Sequence, residues 1–469
     1  MKYARLACSL LLACQSETMP NQLPDSDGGL FSPHPIGSPC GFAETTFALP
    51  TVTGASSPAL GALSGQTTCT SGTGALAWEL VDLNGDGLVD LVVTSTCDDA
   101  TVGRTGLLVY PNTGTGFGPA VRFALPAIAQ TAGCASFALV DVDGDLLLDL
   151  VATSLCTDPT VGTSQWLVFK NVGGSFATAA ASLPLPPGAA AGAYPSVEVD
   201  APTCTAGKPA FAFYDLTADG KPDLVVTTAC DDASVGVSHW RVYPGTGAGF
   251  GPAISFGLPG AGDFYAPLAG AMQCQGTLAA PAYALVDFDG DFLPDLVVTQ
   301  SCADSAAGTS HWLVYPNQKT AFATSPTIVA LPGFAGAPER AYGAVSGTTP
   351  CTNGSLGYAL VDFDGDLKAD LVVTSACGDA QTGVNQWLVY PGNGTAFTGP
   401  KSYGLPAALG ATTKSPAASL TGSIACGTPA TAFDVARLVG APLDLAVTAS
   451  CSDPGAGVSR WLVFAPECP

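Results

Sequence analysis

The chain has 469 residues and a formal charge of −23 at pH 7, with 38 Asp and Glu against 15 Lys and Arg. So few cations argue against a nucleic-acid partner, because phosphate binding requires patches of Lys and Arg. Only 11% of the residues are charged and 47% are hydrophobic, while 56 Gly and 38 Pro interrupt the chain. This composition excludes a disordered or helical protein and favours many short strands joined by turns.

The first residues have the layout of an export signal. Lys2 and Arg5 precede a short apolar run, 6–13, far below the ~20 residues of a membrane-spanning helix. The run ends in Leu-Leu-Ala-Cys14, which resembles a bacterial lipobox, whose cysteine is lipidated; cleavage nearby without lipidation is the alternative. We predict a signal peptide over 1–14, a flexible tether over 15–39 and a folded domain over 40–469. The expected location is the bacterial outer membrane or cell surface, with the lipid as the only membrane contact.

One unit recurs six times in the folded domain. Its first copy reads VDLNGDGLVDLVVTSTC, and the copies end at Cys97, Cys156, Cys230, Cys302, Cys377 and, in a decayed form, Cys451. A third strand follows each copy, anchored by Trp in the last five copies, and a fourth strand ends in Leu-Pro, as at 117–126. Four strands per repeat are typical of a β-propeller blade.

The two ends of the chain complement each other. The sixth unit stops after its third strand, 461–464, whereas 41–50 has the pattern of a fourth strand. Pairing these segments would leave no sheet edge open. The sequence therefore predicts an all-β, six-bladed β-propeller whose N-terminal strand closes the last blade.

Cysteines follow the same register. An even number of thiols in an exported chain points to disulfides, although spacing alone does not prove the pairing. Metal binding by these cysteines is the alternative. The predicted pairs are Cys69–Cys97, Cys134–Cys156, Cys204–Cys230, Cys274–Cys302, Cys351–Cys377, Cys426–Cys451 and, at the ring closure, Cys40–Cys468.

Acidic residues recur at positions 1, 3, 5 and 9 of a loop in each repeat. Such alternation on a tight loop points several oxygens at one centre, and a backbone carbonyl at position 7 would complete a shell of six or seven. Hard oxygen ligands without His or Cys select Ca²⁺. The predicted ligands are Asp82, Asn84, Asp86, Leu88 and Asp90; Asp141, Asp143, Asp145, Leu147 and Asp149; Asp215, Thr217, Asp219 and Asp223; Asp287, Asp289, Asp291, Leu293 and Asp295; and Asp362, Asp364, Asp366, Lys368 and Asp370.

Not all six loops are equivalent. The third carries Thr217 at position 3, so we expect weaker binding there. The sixth keeps only Asp434 and Asp444, with stretched spacing, and is expected to bind no ion. Asx turns without a metal are the alternative for the whole set. We expect the ions to be structural, because nothing in the sequence places a base beside them.

Strand–loop–strand units of this kind, with Phe-Gly-Pro segments such as 117–119 between them, resemble the FG-GAP/VCBS repeats of integrin-α propellers and bacterial surface proteins. The resemblance covers 40–469. It implies that the loops bind Ca²⁺ at the hairpin between the first two strands of each blade. The chain departs from the pattern in its cysteine pairs and in lacking Gly at position 6 of repeats two, four and five. There we expect Gly144, Gly290 and Gly365 at position 4 to serve the turn instead.

Few residues outside the acidic loops suggest recognition or catalysis. An Asp in the turn after each second cysteine is interpreted as a turn cap, with a functional ring of carboxylates as the alternative. The tryptophans are interpreted as packing anchors, with stacking on a sugar as the alternative. No Ser-His-Asp or Cys-His set is present. Candidate ligand contacts in the interblade loops are Asp263, Tyr265, Glu339, Arg340 and Tyr342.

Fold alone does not decide function. The favoured hypothesis is a monomeric surface module that binds or adheres to a glycan or protein. A polysaccharide lyase or hydrolase is the alternative, but the loops are poor in His, Tyr, Lys and Glu. A structural envelope protein is the third possibility.

Overall fold

The computed structural model describes residues 40–468 except 72–73, 131–134, 188–189, 261–262, 275–279, 410–416, 418, 425–430 and 441. The predicted signal peptide, lipidation site Cys14 and tether lie outside this part of the chain. Among the described residues, no helix has the length and apolar character to cross a membrane.

Six antiparallel sheets follow one another along the chain, and each is one blade of a β-propeller. Strand β1 (Gly41–Ala48) precedes them. Blades 1 to 3 contain β2 (Gly65–Thr68), β3 (Ala75–Val81), β4 (Asp90–Ser95), β5 (Gly106–Tyr110) and β6 (Val121–Ala124); β7 (Ala135–Val140), β8 (Asp149–Leu155), β9 (Gln165–Phe169) and β10 (Ala181–Pro184); and β11 (Glu198–Val199), β12 (Ala210–Tyr214), β13 (Asp223–Thr228), β14 (His239–Tyr243) and β15 (Ile254–Gly257).

Blades 4 to 6 repeat the pattern. They contain β16 (Ala282–Val286), β17 (Asp295–Gln300), β18 (His311–Tyr315) and β19 (Thr327–Ala330); β20 (Ser346–Cys351), β21 (Gly354–Val361), β22 (Asp370–Ser375), β23 (Gln386–Tyr390) and β24 (Lys401–Gly404); and β25 (Gly422–Ile424), β26 (Thr431–Ala436), β27 (Asp444–Ala449) and β28 (Arg460–Glu467). Short 3₁₀ helices span Ala127–Gln130, Cys204–Ala206 and Ala407–Leu409.

Every blade has four principal strands, here called A to D in chain order. The A strands are β3, β7, β12, β16, β21 and β26, and the short strands β2, β11, β20 and β25 each lie beside one of them. In blade 4, every residue of the A strand is buried, the C strand alternates, and one residue of the D strand is buried. Both faces of the A strand of blade 4 are therefore buried, while the D strand forms the outer rim.

The ring closes as the sequence predicts. β1 pairs antiparallel with β28, from Gly41 opposite Glu467 to Ala48 opposite Arg460, and so supplies the D strand of blade 6. Phe47, which is 1% exposed, stacks on Trp461 with 6.3 Å between ring centroids. The disulfide Cys40–Cys468 joins the two strands at the end of this ladder, with Cα atoms 4.3 Å apart.

Each tryptophan of a C strand links its blade to the next interblade loop. The Trp312 indole is fully buried and donates to the carbonyl of Tyr342 at 2.9 Å, while the Tyr342 N–H donates to the carbonyl of Gly308 at 2.8 Å. The same pair of bonds joins Trp166 and Gly162 to Tyr194, Trp240 and Gly236 to Tyr265, Trp387 and Gly383 to Ala417, and Trp461 and Gly457 to Leu60. These tryptophans are packing anchors, as predicted, and their burial leaves no face for stacking on a sugar.

Four disulfides between described residues lie on the opposite face from the acidic loops. Cys69–Cys97, Cys204–Cys230, Cys274–Cys302 and Cys351–Cys377 each join an interblade loop to the B–C turn beside it, as predicted. Cys156 and Cys451 are also disulfide-bonded, and the partners predicted for them, Cys134 and Cys426, lie outside the described residues. We call this side the stapled face. Together with Cys40–Cys468, five disulfides between described residues indicate a secreted, extracellular protein.

The B–C turns of the stapled face carry the repeated Asp that follows each second cysteine. The Asp99 carboxylate accepts the N–H of Thr101, two residues on, at 2.8 Å. Equivalent bonds are made by Asp158, Asp232, Asp304, Asp379 and Asp453. These residues are turn caps, as predicted.

Candidate metal centre

The predicted acidic loops of blades 1 to 5 lie in the hairpin between strands A and B. In blade 1, Val81 at the end of the A strand pairs with Asp90, the first residue of the B strand, so the loop spans 82–89. Asp149, Asp223, Asp295 and Asp370 start the B strands of the next four blades in the same register. We call the side of the ring that carries these loops the acidic-loop face.

The Asp at position 9 is the buried anchor of each loop. Asp295 is 1% exposed, and its carboxylate accepts the Phe288 N–H at 3.1 Å and the Asn317 N–H of the C–D turn at 2.9 Å. The C–D turn bond is repeated by Asp90 with Asn112, Asp149 with Asn171, Asp223 with Gly245 and Asp370 with Gly392. One carboxylate therefore fixes the acidic loop against the hairpin beside it.

The C–D turns also tie neighbouring acidic loops together. The Asn171 side chain of blade 2 donates to the Leu83 carbonyl of blade 1 at 2.9 Å. Asn317 makes the same contact to Leu216, as Asn112 does to Leu438. The acidic-loop motif does not include these asparagines, although their place after the C strand recurs in three repeats.

The Asp at position 1 holds the turn itself. Asp287 accepts the Gly290 N–H at 2.8 Å and the Phe292 N–H at 2.9 Å, one on each carboxylate oxygen. Position 6 is left-handed even where it is not Gly, with φ of 66° at Phe292, 70° at Leu146 and 73° at Leu367.

The expectation that Gly144, Gly290 and Gly365 at position 4 serve the turn is confirmed, but the expectation that they do so in place of position 6 is wrong. Gly290 at position 4 is left-handed too, with φ of 82°, so the loop uses two such residues. A side chain at a left-handed position costs about 1–2 kcal/mol. The N–H of Phe292 reaches the Asp287 carboxylate in that conformation, and this bond offsets part of the cost.

Carboxylate oxygens converge in four of the five loops. Ligand atoms within 4.8 Å of one another come from Asp141, Asp143 and Asp145; Asp215, Asp219 and Asp223; Asp287, Asp289 and Asp291; and Asp362, Asp364 and Asp370. The third loop, expected to bind more weakly, thus brings three acids together like the others. In the first loop the Asn84 amide donates to Asp86 at 3.0 Å and to Asp90 at 3.4 Å, so this amide lies between the two carboxylates.

The residues at position 7 face the loop with their N–H groups. Leu88 donates to Asp86 and Leu147 to Asp145, each at 2.9 Å. Leu293 and Lys368 make the same contact to Asp291 and Asp366. A ligand role for the carbonyls at position 7 stays a prediction, and so does one for Thr217.

The loops have the chemistry of a site for a divalent cation. Asp143 Oδ1 and Asp149 Oδ2 are buried and have no hydrogen-bond partner in the described part of the chain. Burial raises the pKa of Asp149 and Asp223 to about 6, of Asp370 to about 7 and of Asp295 to about 8. Buried carboxylates at such short range are stable in their charged form only with a compensating cation. All-oxygen donors fit Ca²⁺.

Blade 6 differs from the sequence prediction. Ala436 pairs with Asp444 as Val81 pairs with Asp90, so Asp444 is at position 9 and Arg437 occupies position 1. Asp434 lies inside β26, opposite Ala446, and is not a loop residue, so the predicted assignment of Asp434 to this loop is wrong. The loop is one residue shorter than in blade 1, spanning 437–443.

Protein cations contact four of the acidic residues in the described loops. Lys170 contacts Asp143, Lys368 Nζ lies 3.4 Å from Asp366 Oδ2, and Lys401 Nζ lies 3.9 Å from Asp364 Oδ2. Arg437 Nη2 lies 2.9 Å from Asp362 Oδ2, across the boundary between blades 6 and 5. Burial raises the pKa of Asp362, and the charge of Arg437 opposes that rise.

The candidate ligand contacts in the interblade loops are not equivalent. Tyr265 and Tyr342 are each 2% exposed and are the partners of Trp240 and Trp312, so neither side chain is open to a ligand. Glu339 is exposed, whereas Asp263 and Arg340 are half-buried. These three remain candidates.

Comparison with known proteins gives one family match. The model of the FG-GAP-like repeat matches residues 82–152, from the acidic loop of blade 1 into the B strand of blade 2. The match covers one of the six structural repeats and confirms the resemblance drawn from the loop pattern. No curated protein matches the chain.

Solved structures give distant matches. The Tc holotoxin pore of Photorhabdus luminescens is 19% identical over 83% of this chain, with a TM-score of 0.48, and this chain spans only 14% of that one. The Dos1 propeller is 10% identical, with coverages of 86% and 82% and a TM-score of 0.29. An α-L-arabinofuranosidase of Fusarium graminearum, in complex with an iminosugar inhibitor, is 12% identical, with coverages of 89% and 97% and a TM-score of 0.30.

Proposed function

We propose that the protein is an exported binding module, stabilised by Ca²⁺ in its acidic loops, that recognises a glycan or protein ligand. The observation that supports it most is the recurrence of buried carboxylates, with oxygens of Asp143 and Asp149 lacking a hydrogen-bond partner among the described residues. A bound cation compensates such groups without protonating them.

The side chains at positions 1, 3, 5 and 9 of each loop would hold the ion, and all are carboxylates except Asn84 and Thr217. When bound, Ca²⁺ neutralises the loop and fixes the A–B hairpin to the C–D turn through the shared position-9 Asp. These ions are structural in our proposal. The chain contributes no neighbouring base in the described loops, and the position-9 side chains are fully buried.

Ligand binding is assigned to the stapled face. The interblade loops there are tied to B–C turns by four disulfides between described residues, and each tryptophan bond adds a second tie. Loops held in place lose little entropy on binding, so a rigid rim suits recognition. Glu339 and Asp263 supply exposed and half-exposed carboxylates at this face.

The calcium part of the proposal is tested by calorimetric titration of chelated protein. The sample is the exported chain with Cys14→Ser, which carries no lipid. We expect saturable Ca²⁺ binding, and loss of one site in Asp287→Asn. The matched control is Asp304→Asn, a turn cap on the stapled face, which should leave the number of sites unchanged. Absence of any Ca²⁺ binding by the native sequence would contradict the proposal.

The ligand part needs a separate screen. The same protein is passed over glycan arrays and envelope-protein fractions, with Ca²⁺ and with EDTA. Saturable binding that is lost in Glu339→Gln supports the stapled face as the site. Turnover of a polysaccharide would instead show an enzyme.

Attachment through Cys14 is part of the proposal as well. Labelling of the native chain with radioactive palmitate in a bacterial host should give a lipidated product. Cys14→Ser should abolish the label and release the protein from the membrane fraction. Equal labelling of the two proteins would contradict a lipid anchor at this residue.

A further inference from the structure

Position 1 of the acidic loop changes charge once around the ring. It is Asp in blades 1 to 5 and Arg437 in blade 6, where the paired strands place it directly after the A strand. The Arg437 side chain is 23% exposed and the Asp362 side chain, its partner in blade 5, is 5% exposed. The guanidinium of Arg437 in blade 6 therefore lies against the acidic cluster of blade 5.

The packing of adjacent loops explains why Arg437 reaches blade 5. The Leu443 N–H of the blade 6 loop donates to the Phe363 carbonyl of blade 5 at 3.3 Å. Ala369 and Phe288 make the same contact between blades 5 and 4, also at 3.3 Å. Each loop is thus in contact with the loop before it, and a long side chain at position 1 can extend into that neighbour.

Asp362 uses its oxygens differently from the other position-1 residues. In the first four loops, one oxygen accepts the N–H of position 6, from Gly87, Leu146, Gly220 and Phe292. In the fifth, Asp362 Oδ2 accepts from the guanidinium of Arg437 at 2.9 Å. The oxygen that Arg437 contacts belongs to a carboxylate of the cluster formed with Asp364 and Asp370.

We propose that Arg437 is a built-in competitor for the cation of blade 5, so that this loop binds Ca²⁺ at least tenfold more weakly than the loops of blades 2 and 4. The inference rests on the proposed calcium binding and adds a rank order of sites to it. A fixed positive charge at hydrogen-bond distance repels an incoming divalent ion and occupies one of its ligands. Without Ca²⁺, the same charge stabilises the cluster.

The contrast with blade 2 supports this order. There Lys170 approaches Asp143 from a strand end with its side chain 46% exposed, so solvent screens the charge and the long side chain can move away. Arg437 is half as exposed and its partner is buried. Asp143 Oδ1 and Asp149 Oδ2 remain without a hydrogen-bond partner among the described residues despite Lys170.

The test is calorimetric titration with Ca²⁺ of the exported chain carrying Cys14→Ser, compared with its Arg437→Gln and Arg437→Met variants. We expect one weak site in the parent, strengthened at least tenfold in both variants. The matched control is Arg460→Gln, which breaks the ion pair with Asp453 on the stapled face and should change no site. Adding Asp362→Asn to each protein should remove the site concerned, which assigns it to blade 5.

Two results would overturn the inference, and they are distinguishable. If the parent binds Ca²⁺ but the Arg437 variants leave every affinity unchanged, Arg437 is only a structural partner of Asp362. If the parent binds no Ca²⁺, the proposed calcium function fails and this inference fails with it. Near-ultraviolet circular dichroism of each variant in EDTA establishes that it is folded, and Arg437→Met retains much of the aliphatic side chain in case Arg437→Gln does not fold.

Discussion

The two faces of the ring use the same residue, aspartate, in opposite ways. On the stapled face, hydrogen bonds from Thr101 and Thr160 lower the pKa of Asp99 and Asp158, and both carboxylates are open to water. On the acidic-loop face, burial raises the pKa of Asp295 to about 8. A repeated Asp is therefore not in itself a sign of metal binding. What distinguishes the two sets is whether the chain has already satisfied the carboxylate.

Each face also depends on a different solution condition. The stapled face is held by disulfides and by buried Trp–carbonyl bonds, which do not respond to ions. The acidic-loop face is held by carboxylates that need a counter-charge.

Removal of Ca²⁺ should destabilise the protein strongly. A ligand at a hundredfold excess over its Kd stabilises the folded state by about 2.7 kcal/mol per site, so four sites would give roughly 10 kcal/mol. We expect EDTA to lower the melting temperature by more than 10 °C in calorimetric scans, and excess Ca²⁺ to restore it. An unchanged melting temperature would show that the acidic loops are stable as plain turns.

The chelated protein should lose stability as the pH rises. The pKa values of Asp370 and Asp295 in the metal-free fold, about 7 and about 8, lie above the ~3.9 of an unfolded Asp. The folded state therefore binds more protons than the unfolded state between pH 4 and 8, and stability falls across that interval.

The measurement is the melting temperature in EDTA at pH 5 and pH 8. We expect the lower value at pH 8, and a smaller difference in Asp295→Asn than in the control Asp304→Asn. With saturating Ca²⁺ the difference should shrink, because bound ions keep the carboxylates charged. A chelated protein that is more stable at pH 8 would contradict the burial argument.

Loss of one tryptophan bond should cost less than loss of the ions. Trp312→Phe removes the N–H that the buried Tyr342 carbonyl accepts and leaves a small void, at a cost of about 2–4 kcal/mol. The control is His311→Gln, since Gln occupies the equivalent position of two other C strands, at Gln165 and Gln386. Denaturant unfolding measures the free energy of unfolding of both variants. The loss in Trp312→Phe should be the same with Ca²⁺ and with EDTA.

The smallest expected effect is that of a substitution at Gly308, whose carbonyl accepts the Tyr342 N–H. Gly308 and Gly336 both have left-handed backbones, with φ of 81° and 85°. A Cβ at Gly308 would lie 2.5 Å from the Thr299 carbonyl, whereas one at Gly336 meets nothing within 4 Å. Gly308→Ala should therefore cost about 1–3 kcal/mol more than Gly336→Ala in denaturant unfolding. Equal costs would mean that the interblade contact relaxes freely.

Much of the fold could be predicted from the sequence because its signals repeat in register. The fourth-strand pattern at 41–50 predicts the pairing of β1 with β28, and paired cysteines in successive repeats predict the disulfides of the stapled face. The Trp of each C strand in blades 2 to 6 predicts a packing anchor. In each case one residue type at one position of the repeat indicates the structure, and the spacing within the repeat is enough to predict it.

The features that could not be predicted depend on contacts between residues that the spacing within one repeat does not reveal. The position of Arg437 follows from the pairing of Ala436 with Asp444 across a loop one residue short, which shifts the apparent motif. Tyr265 and Tyr342 look like recognition residues in loops, yet the interblade packing buries them. The left-handed Phe292 was missed because its stabilising partner is the carboxylate of Asp287, five residues earlier.

We expect divalent ions on the acidic-loop face and none on the stapled face. Anomalous diffraction from crystals grown in Ca²⁺ locates the ions. We expect peaks about 2.3–2.6 Å from the carboxylate oxygens in blades 1 to 4, a weaker peak beside Asp362 in blade 5 and none beside Asp444 in blade 6. Ordered loops without peaks, or peaks at the Asp caps of the stapled face, would contradict this expectation.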